Sequence, residues 1–421
     1  MRLSTICHIN NNTLSASQRE GTILYLDTSN LINGRIIELQ KLECANAPSR
    51  AQRKVRHNTI LYSSVRPNQK HYGIVKYPEP NLIVSTGFTT LDIKEDYLNS
   101  IDVEYLYLLI TQPCITSYLQ TIAENSVSAY PSISPTDIGN LDFEFPPIEK
   151  QKLIAQFIFN LDRKIALNRQ INRNLETLAK QIYDYWFVQF DFPDEKGNPY
   201  KSSGGKMVWN EILKREIPEG WKVKSVNDVS SICRGVSYKP NDLQESGILI
   251  LRGNNIENNH IVYDNNTAYL LPNLISDEQR IKKHDIIITM SSGSKEHIGK
   301  CAMFQCNSEH SFGVFLSKIT PDNNCPYFLF LYLISQYFKQ KIKSICNGTG
   351  INNLTNQTFD EVLFAFPEQT VLTEFEKVVQ PIFDSIGLNE TEITSLTRQR
   401  DEILPLLMNG QAQINSDLSA C

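Results

Sequence analysis

Near the end of the chain, seam residues recur at alternating spacings of four and three: Phe375, Val379, Ile382, Ile386, Asn389, Ile393, Leu396, Arg400, Ile403 and Leu407. This is a heptad a/d pattern, and it predicts one long helix with a single stripe turned to a partner helix. Subtracting 221 lands on Ile154, Ile158, Leu161, Ile165, Asn168, Asn172, Leu175, Ala179, Ile182 and Trp186, the same seam a second time. Each seam spans roughly 50 Å at about 1.5 Å per residue. Asn168 and Asn389 occupy equivalent positions, where a polar residue fixes register at some expense of stability. Two equal helices closing two repeats pack most simply against each other, antiparallel. Packing of each on its own globular part is the alternative. Pro381 predicts either a kink or the true first turn of the second helix.

The remainder of the chain is also duplicated. Ile23–Ile36 (ILYLDTSNLINGRI) matches Ile248–Ile261 (ILILRGNNIENNHI) at an offset of 225, and Ile6-Cys7 matches Ile232-Cys233. His57–Leu61 matches His284–Ile288 at 227, Tyr105–Ile110 matches Phe328–Leu333, and Asp142–Pro146 matches Leu363–Pro367 at 221. Such drift needs only short loop deletions, so one unit is used twice. Ile248–Leu251 and Asp285–Thr289 are rich in β-branched residues between turn formers and read as strands. Tyr327–Lys343 reads as an amphipathic helix, followed by a Gly/Asn/Thr loop at Asn347–Thr355. Phe192–Glu219, rich in Pro, Gly, Ser and Lys, reads as the connection to the second unit.

With 421 residues, 41% hydrophobic and 21% charged, the chain is a folded protein of two or more domains. Its longest apolar run, Tyr327–Ile334, is far short of the roughly 20 residues of a membrane span. Met1–Asn12 lacks the apolar core of a signal peptide, which points to the cytoplasm. Nine scattered cysteines, with no CxxC and no His-x-x-x-His, read as buried thiols in a reducing compartment rather than zinc ligands or disulfides. The net charge of −5 argues against a molecule coated in positive charge. DNA binding stays open, because only the DNA-facing surface need be basic. Cys44–Pro78 holds Arg50, Arg53, Lys54, Arg56, Arg66, Lys70 and Lys76 with no acid, and Asn323–Phe359 holds Lys339, Lys341 and Lys343, again with none. Either run alone is also what a solvated surface looks like.

Catalytic signatures are missing. Ser291–Lys300 (SSGSKEHIGK) has five residues between Gly293 and Gly299 where a phosphate-binding loop has four, and Cys301 stands where Ser or Thr belongs. Pro193-Asp194 has no partnering Asp/Glu-x-Lys of a nuclease, and Asn198-Pro199-Tyr200 lacks the second proline of a methyltransferase motif. No metal site, paired carboxylate or Ser/His/Asp set stands out. The chain reads as a binding protein.

Phe145–Phe187 closely resembles the central region of the specificity subunits of type I restriction–modification enzymes. Its Pro-Pro-x-x-x-Gln opening is Pro146, Pro147 and Gln151, and its helix carries Leu161, Asp162, Ile165, Asn168, Asn172, Leu175, Glu176, Trp186 and Phe187. Ile217–Trp221 resembles the start of that family's second recognition domain, and Asp285–Ile288 with Ile298-Gly299 also fits. The resemblance covers nearly the whole chain. It implies an α+β fold: two duplicated target-recognition domains with mixed β-sheets, separated by two long antiparallel coiled-coil helices. The implied domains are 1–146 and 218–367 for recognition, 147–191 and 368–410 for the helices, 192–217 as linker and 411–421 as a flexible tail. It implies a non-catalytic subunit that binds double-stranded DNA, one half-site per domain. Two methylation subunits dock on the helices and two translocating restriction subunits join outside. S-adenosylmethionine, ATP and Mg belong to those partners, with no cofactor on this chain.

The chain departs from the family in two places. Its first repeat begins at Met1 where the second is already at Val226–Val229, so a counterpart of Pro218–Trp221 is lacking and an N-terminal strand is expected to be absent. The second helix opens Pro367-Glu368-Gln369, without the full Pro-Pro-x-x-x-Gln, so weaker docking is expected there.

Side chains that reach base edges read sequence, and Lys, Arg and amides grip phosphates. The candidates for DNA contact are Ser64, Arg66, Asn68, Lys70 and His71 in the first copy. In the second they are Ser292, Ser294, Lys295, His297 and Lys300, with Arg252, Asn254 and Asn255. Ordinary polar loops are the competing reading of each. Asn168, Asn172, Asn389, Tyr183, Trp186 and Phe187 are candidates for subunit docking; the aromatics, with Tyr185, answer equally well to the cap of a local core. Two other classes compete: a stand-alone DNA methyltransferase or nuclease, which lacks its motifs, and a purely structural coiled coil, which leaves two divergent globular repeats unexplained.

If the helices act as a ruler, deleting one heptad from each should move the two readers by about 10 Å, or roughly three base pairs of gap. Sequencing the methylated sites of the deletion mutant checks this, and an unchanged gap refutes it.

Overall fold

The computed structural model describes the chain except residues 16–19, 127–130, 264–266, 295, 323, 346–351 and 415–421. Two compact units are formed, one from residues 1–165 with 395–421, the other from 166–394. Each is α+β.

In the first unit an antiparallel sheet runs Cys7–Ile9, Phe88–Ile93, Thr59–Ser63, Tyr72–Val75. A second sheet runs Gln40–Glu43, Thr22–Leu26, Leu82–Ser85, Ala51–Lys54, with a parallel central pair. The second unit repeats the plan: Ser230–Arg234, Leu316–Pro321, Ile286–Thr289, Cys301–Met303, then Tyr269–Leu270, Ile248–Leu251, Ser311–Phe312, with a parallel pair again. Thr59–Ser63 and Ile286–Thr289 are buried along their whole length. Strands covered on both faces read as continuous apolar runs, which is why these two stood out. Ile286 and Ile288 join the core formed with the Phe328–Leu333 helix, while Ile287 faces the mixed sheet with Leu251 and Phe312. Ile60 and Tyr62 face the Tyr105–Ile110 helix and Leu61 faces the other sheet. Ile60 is therefore the counterpart of Ile286, an offset of 226. The sequence match at 227 is one residue out of register, which in a strand reverses the faces.

The first long helix spans Ile148–Tyr183 and ends in a π turn at Asp184–Val188. The second spans Gln369–Met408. It starts well before Pro381, so that proline is not its first turn. The amide hydrogen bond that Pro381 cannot donate leaves the helix unbroken, and the Pro381 carbonyl accepts from Ser385 Oγ at 2.7 Å. Both units contain a stretch of each helix, and the predicted seam residues are buried or half-buried throughout. In the first unit Arg400 Nη1 meets Asp162 Oδ1 at 2.7 Å. In the second, Asn168 Nδ2 donates to Glu392 at 2.7 Å and Asn389 Nδ2 donates to Asn172 Oδ1 at 2.8 Å. Within that unit rising numbers on one helix meet falling numbers on the other, so the pair is antiparallel.

The two helix openings are tied down differently. Gln151 is fully buried; its amide nitrogen donates to the carbonyls of Ser100 and Pro146 at 2.8 and 2.7 Å, and its oxygen accepts from Asp102 N at 3.0 Å. The motif glutamine thus ties its helix to the recognition domain. At the matching place in the second copy stands Leu372, also buried. There Glu376 does the tying, accepting from the amides of Phe328 and Tyr327 at the start of the Pro326–Ile334 helix. Burial pushes its carboxyl up to about 7.

Asp142–Pro146 also has an altered neighbourhood. In the second unit Lys222–Ser225 pairs along Leu363–Phe366. In the first, one bridge between Arg2 and Asp142 stands at that place, with Leu3 N donating to Leu141 O at 3.0 Å and Leu3 and Ile6 fully buried. The connecting segment is folded: Met207–Asn210 and Arg215–Pro218 form a hairpin, and Phe192 stacks between Tyr200 and Trp221. Of the expected tail, 411–414 fall among the described residues, and Ala412 and Ile414 lie against the first unit's core. Cys7, Cys301 and Cys325 are buried, and burial pushes each thiol up to about 12. Cys114 and Cys306 are exposed, contrary to the expectation of buried thiols, because they sit on a helix face and in a loop that cover no core.

Phe375 is fully buried, with ring centroids 4.6 Å from Phe187 and 5.6 Å from Trp186. Phe375→Ala should destabilise the second unit by about 3–5 kcal/mol, read as a lowered denaturant midpoint. A midpoint within error of the parent contradicts this packing.

Candidate nucleic-acid interface

In each unit the antiparallel sheet carries a long loop between its second and third strands in sequence. In the first it is 64–71, in the second 290–300. Both loops pack on a helix that follows the sheet. Asn68 N donates to Gln120 Oε1 at 3.1 Å on the Pro113–Glu124 helix. Glu296 Oε1 lies 3.8 Å from Lys343 Nζ on the Gln336–Ile345 helix, and Gly299 lies against Phe338 and Ile342 of the same helix.

The first loop is built around a turn at Pro67–Gln69, flanked by Arg66 and Lys70 at φ of 47° and 56°. Glycine adopts such angles freely, whereas a side chain there costs about 1–3 kcal/mol. Arg66, Asn68 and Lys70 are exposed. Ser64 is half-buried and shares a hydrogen bond with Thr89 Oγ1 at 2.9 Å. His71 points inward: its Nδ1 donates to the Leu31 carbonyl at 2.7 Å and its Nε2 lies 3.2 Å from Gln69 Oε1.

In the second loop Ser291–Ser292 pairs with Asn352–Asn353, which brings the exposed Asn353 to the loop. Ser292 and Ser294 hold the turn, their hydroxyls accepting from the amides of Ser294 and Glu296 at 3.2 and 3.3 Å. His297 is exposed, and Lys300 Nζ donates to its Nδ1 at 2.9 Å. Lys295 lies outside the described residues. Elsewhere Asn254 is exposed and Arg252 half-buried. Asn255 is buried with both ends of its amide engaged, its oxygen by Arg252 N and its nitrogen by the Val262 carbonyl, each at 2.9 Å. It shapes the turn from within.

The docking candidates are interior to the second unit. Asn168 and Asn172 are buried and Asn389 half-buried in the helix seam. Tyr183, Trp186 and Phe187 are buried in one aromatic cluster with Phe328 and Phe375. The outward aromatic is Tyr185, with Val188 beside it.

The acid-free basic run is partly neutralised by carboxylates from elsewhere in the chain. Arg50 pairs with Asp27 at 2.5 Å, Arg56 with Asp92 at 3.1 Å and Lys76 with Glu104 at 3.2 Å. Arg66 and Lys70 are outward near the first loop. Near the second, Lys341 and Lys343 are outward on the helix, Lys343 facing Glu296, with Lys339 half-buried. Sequence reasoning missed Gln120, the Asn352–Asn353 pairing and Phe315, an exposed ring whose carbonyl accepts from Met290 N and Ser291 N at the root of the second loop. A lone exposed aromatic in a short loop leaves no pattern in the sequence. Among the described residues no cluster of three or more His, Cys, Asp or Glu could hold a metal ion, and no helix is long and apolar enough to cross a membrane.

A family model described as the type I restriction modification DNA specificity domain matches residues 1–177 and again 218–398. The HindI specificity subunit of Haemophilus influenzae, a type I restriction enzyme subunit, is 25% identical over 439 residues, covering 92% of this chain and 94% of its own. The EcoKI specificity subunit of Escherichia coli is 32% identical over 206 residues, 47% of this chain and 44% of its own. The crystal structure of the type I restriction–modification S subunit from M. genitalium shares the fold with a TM-score of 0.56 at 16% identity, over 99% of this chain and 96% of that one.

Proposed function

Because the chain belongs to the type I restriction–modification DNA specificity family, we propose that its two recognition copies each read one half of a split DNA site and that its helix pair sets the unspecified gap. DNA target recognition follows from the family itself. The two-part site is carried by one observation: the same sheet order occurs twice, and the two copies differ at the equivalent loops and at the helices beneath them. A single reader built twice with unlike surfaces suits a site of two unlike halves.

In this reading Arg66, Asn68 and Lys70 meet DNA in the first copy. His297, Lys300, Lys341 and Lys343 do so in the second, with Arg252 and Asn254 as further contacts from a separate loop and Lys295 as a candidate outside the described residues. Cations hold phosphates and set register, while Asn and Arg can bond adenine and guanine in pairs. Ser64, His71, Ser292, Ser294 and Asn255 act one step back by shaping the loops. Two methylation subunits dock along the helices, where Tyr185 and Val188 are outward, and two restriction subunits join the assembly. The chain itself performs no catalysis. Methyl transfer, cleavage, S-adenosylmethionine, ATP and Mg belong to the partners, in the cytoplasm.

The deciding experiment maps adenine methylation in a host expressing the chain with a methylation subunit, with and without the chain. A two-part motif that appears only with the chain supports the reading, and exchanging the two copies then assigns the halves. Methylation that does not change with the chain present refutes it. At the level of side chains, Lys341→Ala and Lys343→Ala should each weaken binding to all sequences alike and flatten the log–log salt dependence by about one unit. Loss of sequence choice without a change in salt slope would mean that these lysines read bases.

A further inference from the structure

The hairpin Ile256–Glu257 with His260–Ile261 belongs to the second recognition domain, yet His260 lies between the two long helices of its own unit. Its Nδ1 is 3.0 Å from Glu390 Oε1 on the second helix, and its Nε2 is 3.0 Å from Glu176 Oε1 on the first. A neutral imidazole has one N–H, so it can donate to only one carboxylate. The imidazolium has two and carries a charge: Nδ1–H donates to Glu390, while Nε2–H stands at ion-pair distance from Glu176. Close approach is also built in beside it: a Cβ at Gly387, one turn before Glu390, would lie 2.9 Å from Gln305 Cβ of the recognition domain.

The first copy has different chemistry at the matching positions. The equivalent hairpin is Leu31–Ile32 with Arg35–Ile36, and His260 corresponds to Arg35, which is exposed. The helix offset of 221 places Thr397 opposite Glu176 and Arg169 opposite Glu390. No carboxylate stands at either place, so this contact belongs to the second copy alone.

We infer that His260 is a positioning residue which, as imidazolium, latches the second recognition domain to both long helices and so fixes how far the second half-site lies from the first. The inference about the gap rests on the proposed function; the latch itself does not. The two carboxylates raise the His260 pKa from 6.5 to about 10 against the lowering effect of burial. The other titratable groups around it are Lys180 on the first helix, at the same cavity, and Tyr263, which lies near both Glu390 and Cys306. A folded-state pKa above the unfolded value means the contribution is complete below about pH 6.5 and is lost as pH rises through about 10.

The test melts the full chain and its His260→Gln and His260→Arg variants between pH 6 and 10.5. The parent should melt roughly 2–4 °C above His260→Gln at pH 6, with the difference closing near pH 10. His260→Arg, whose guanidinium stays charged and has several donors, should keep the advantage at high pH. Glu390→Gln should move the loss to lower pH. A difference that is absent, or equal at every pH, overturns the latch. Methylated sites are then mapped in cells with His260→Gln. Both half-sites unchanged but gaps one base pair longer or shorter now accepted supports the positioning role, and an unchanged gap overturns it. If the parent directs no two-part methylation, the functional reading fails while the melting result still decides the latch.

Discussion

An amide pair, Asn172 with Asn389 at 2.8 Å, sits in the otherwise largely apolar seam of the helix pair within the second unit. Asn172 also donates to the Ile386 carbonyl. Hydrophobic seams tolerate slippage by a heptad, because one apolar layer replaces another. Buried amides do not, since each one left without a partner costs about 1–3 kcal/mol. A slip of seven residues would set Asn172 against Leu396 or Ile382 and strand both side chains. Asn168 with Glu392 adds a second register-specific bond. The elements tied to these helices within that unit, through Glu376, Phe375 and His260, inherit their positions from this one alignment.

The recognition copies show how one sheet plan supports two surfaces. Both place a buried strand at the centre of an antiparallel sheet, cover one face with a mixed sheet and the other with an apolar helix, and leave the loop after that strand to vary. In the first copy the outward cations sit on the loop, and the helix beneath it, Pro113–Glu124, has no charged residue except Glu124. In the second the cations sit largely on the helix as Lys339, Lys341 and Lys343. Charge near the same place in the fold has been supplied from two different segments, which the buried layers permit because neither segment's outer face contributes to the core.

The seam was legible in the sequence because a heptad repeated over ten positions leaves few alternatives, and the duplication was legible because buried strands keep their β-branched residues. The exact pairing of copies was not. His57–Leu61 and His284–Ile288 look alike, yet the faces show that Ile60 answers to Ile286, one residue away. Letters alone cannot separate two apolar residues on opposite faces when both faces are buried. Electrostatics was less legible still. The run from Cys44 to Pro78 is acid-free in sequence, but Asp27 from a turn, Asp92 from a strand and Glu104 from a helix neutralise part of it. Asn255 and His71 have the chemistry of base-reading residues, and only their partners reveal that they brace loops.

These contrasts between sequence and structure share a cause that bears on how such a chain works. The motif residues that make it recognisable, Gln151, Asn168, Asn172, Trp186 and Phe187, are all buried, and each is fixed by several neighbours at once. Gln151 alone satisfies three backbone groups. Such positions tolerate few substitutions, so they mark the scaffold. Exposed loop and helix residues such as Arg66, Asn68, Lys341 and Lys343 contribute nothing to the buried layers. A surface of that kind can change its target without disturbing the fold beneath it. The identity of the scaffold and the identity of the target are therefore held by separate sets of side chains.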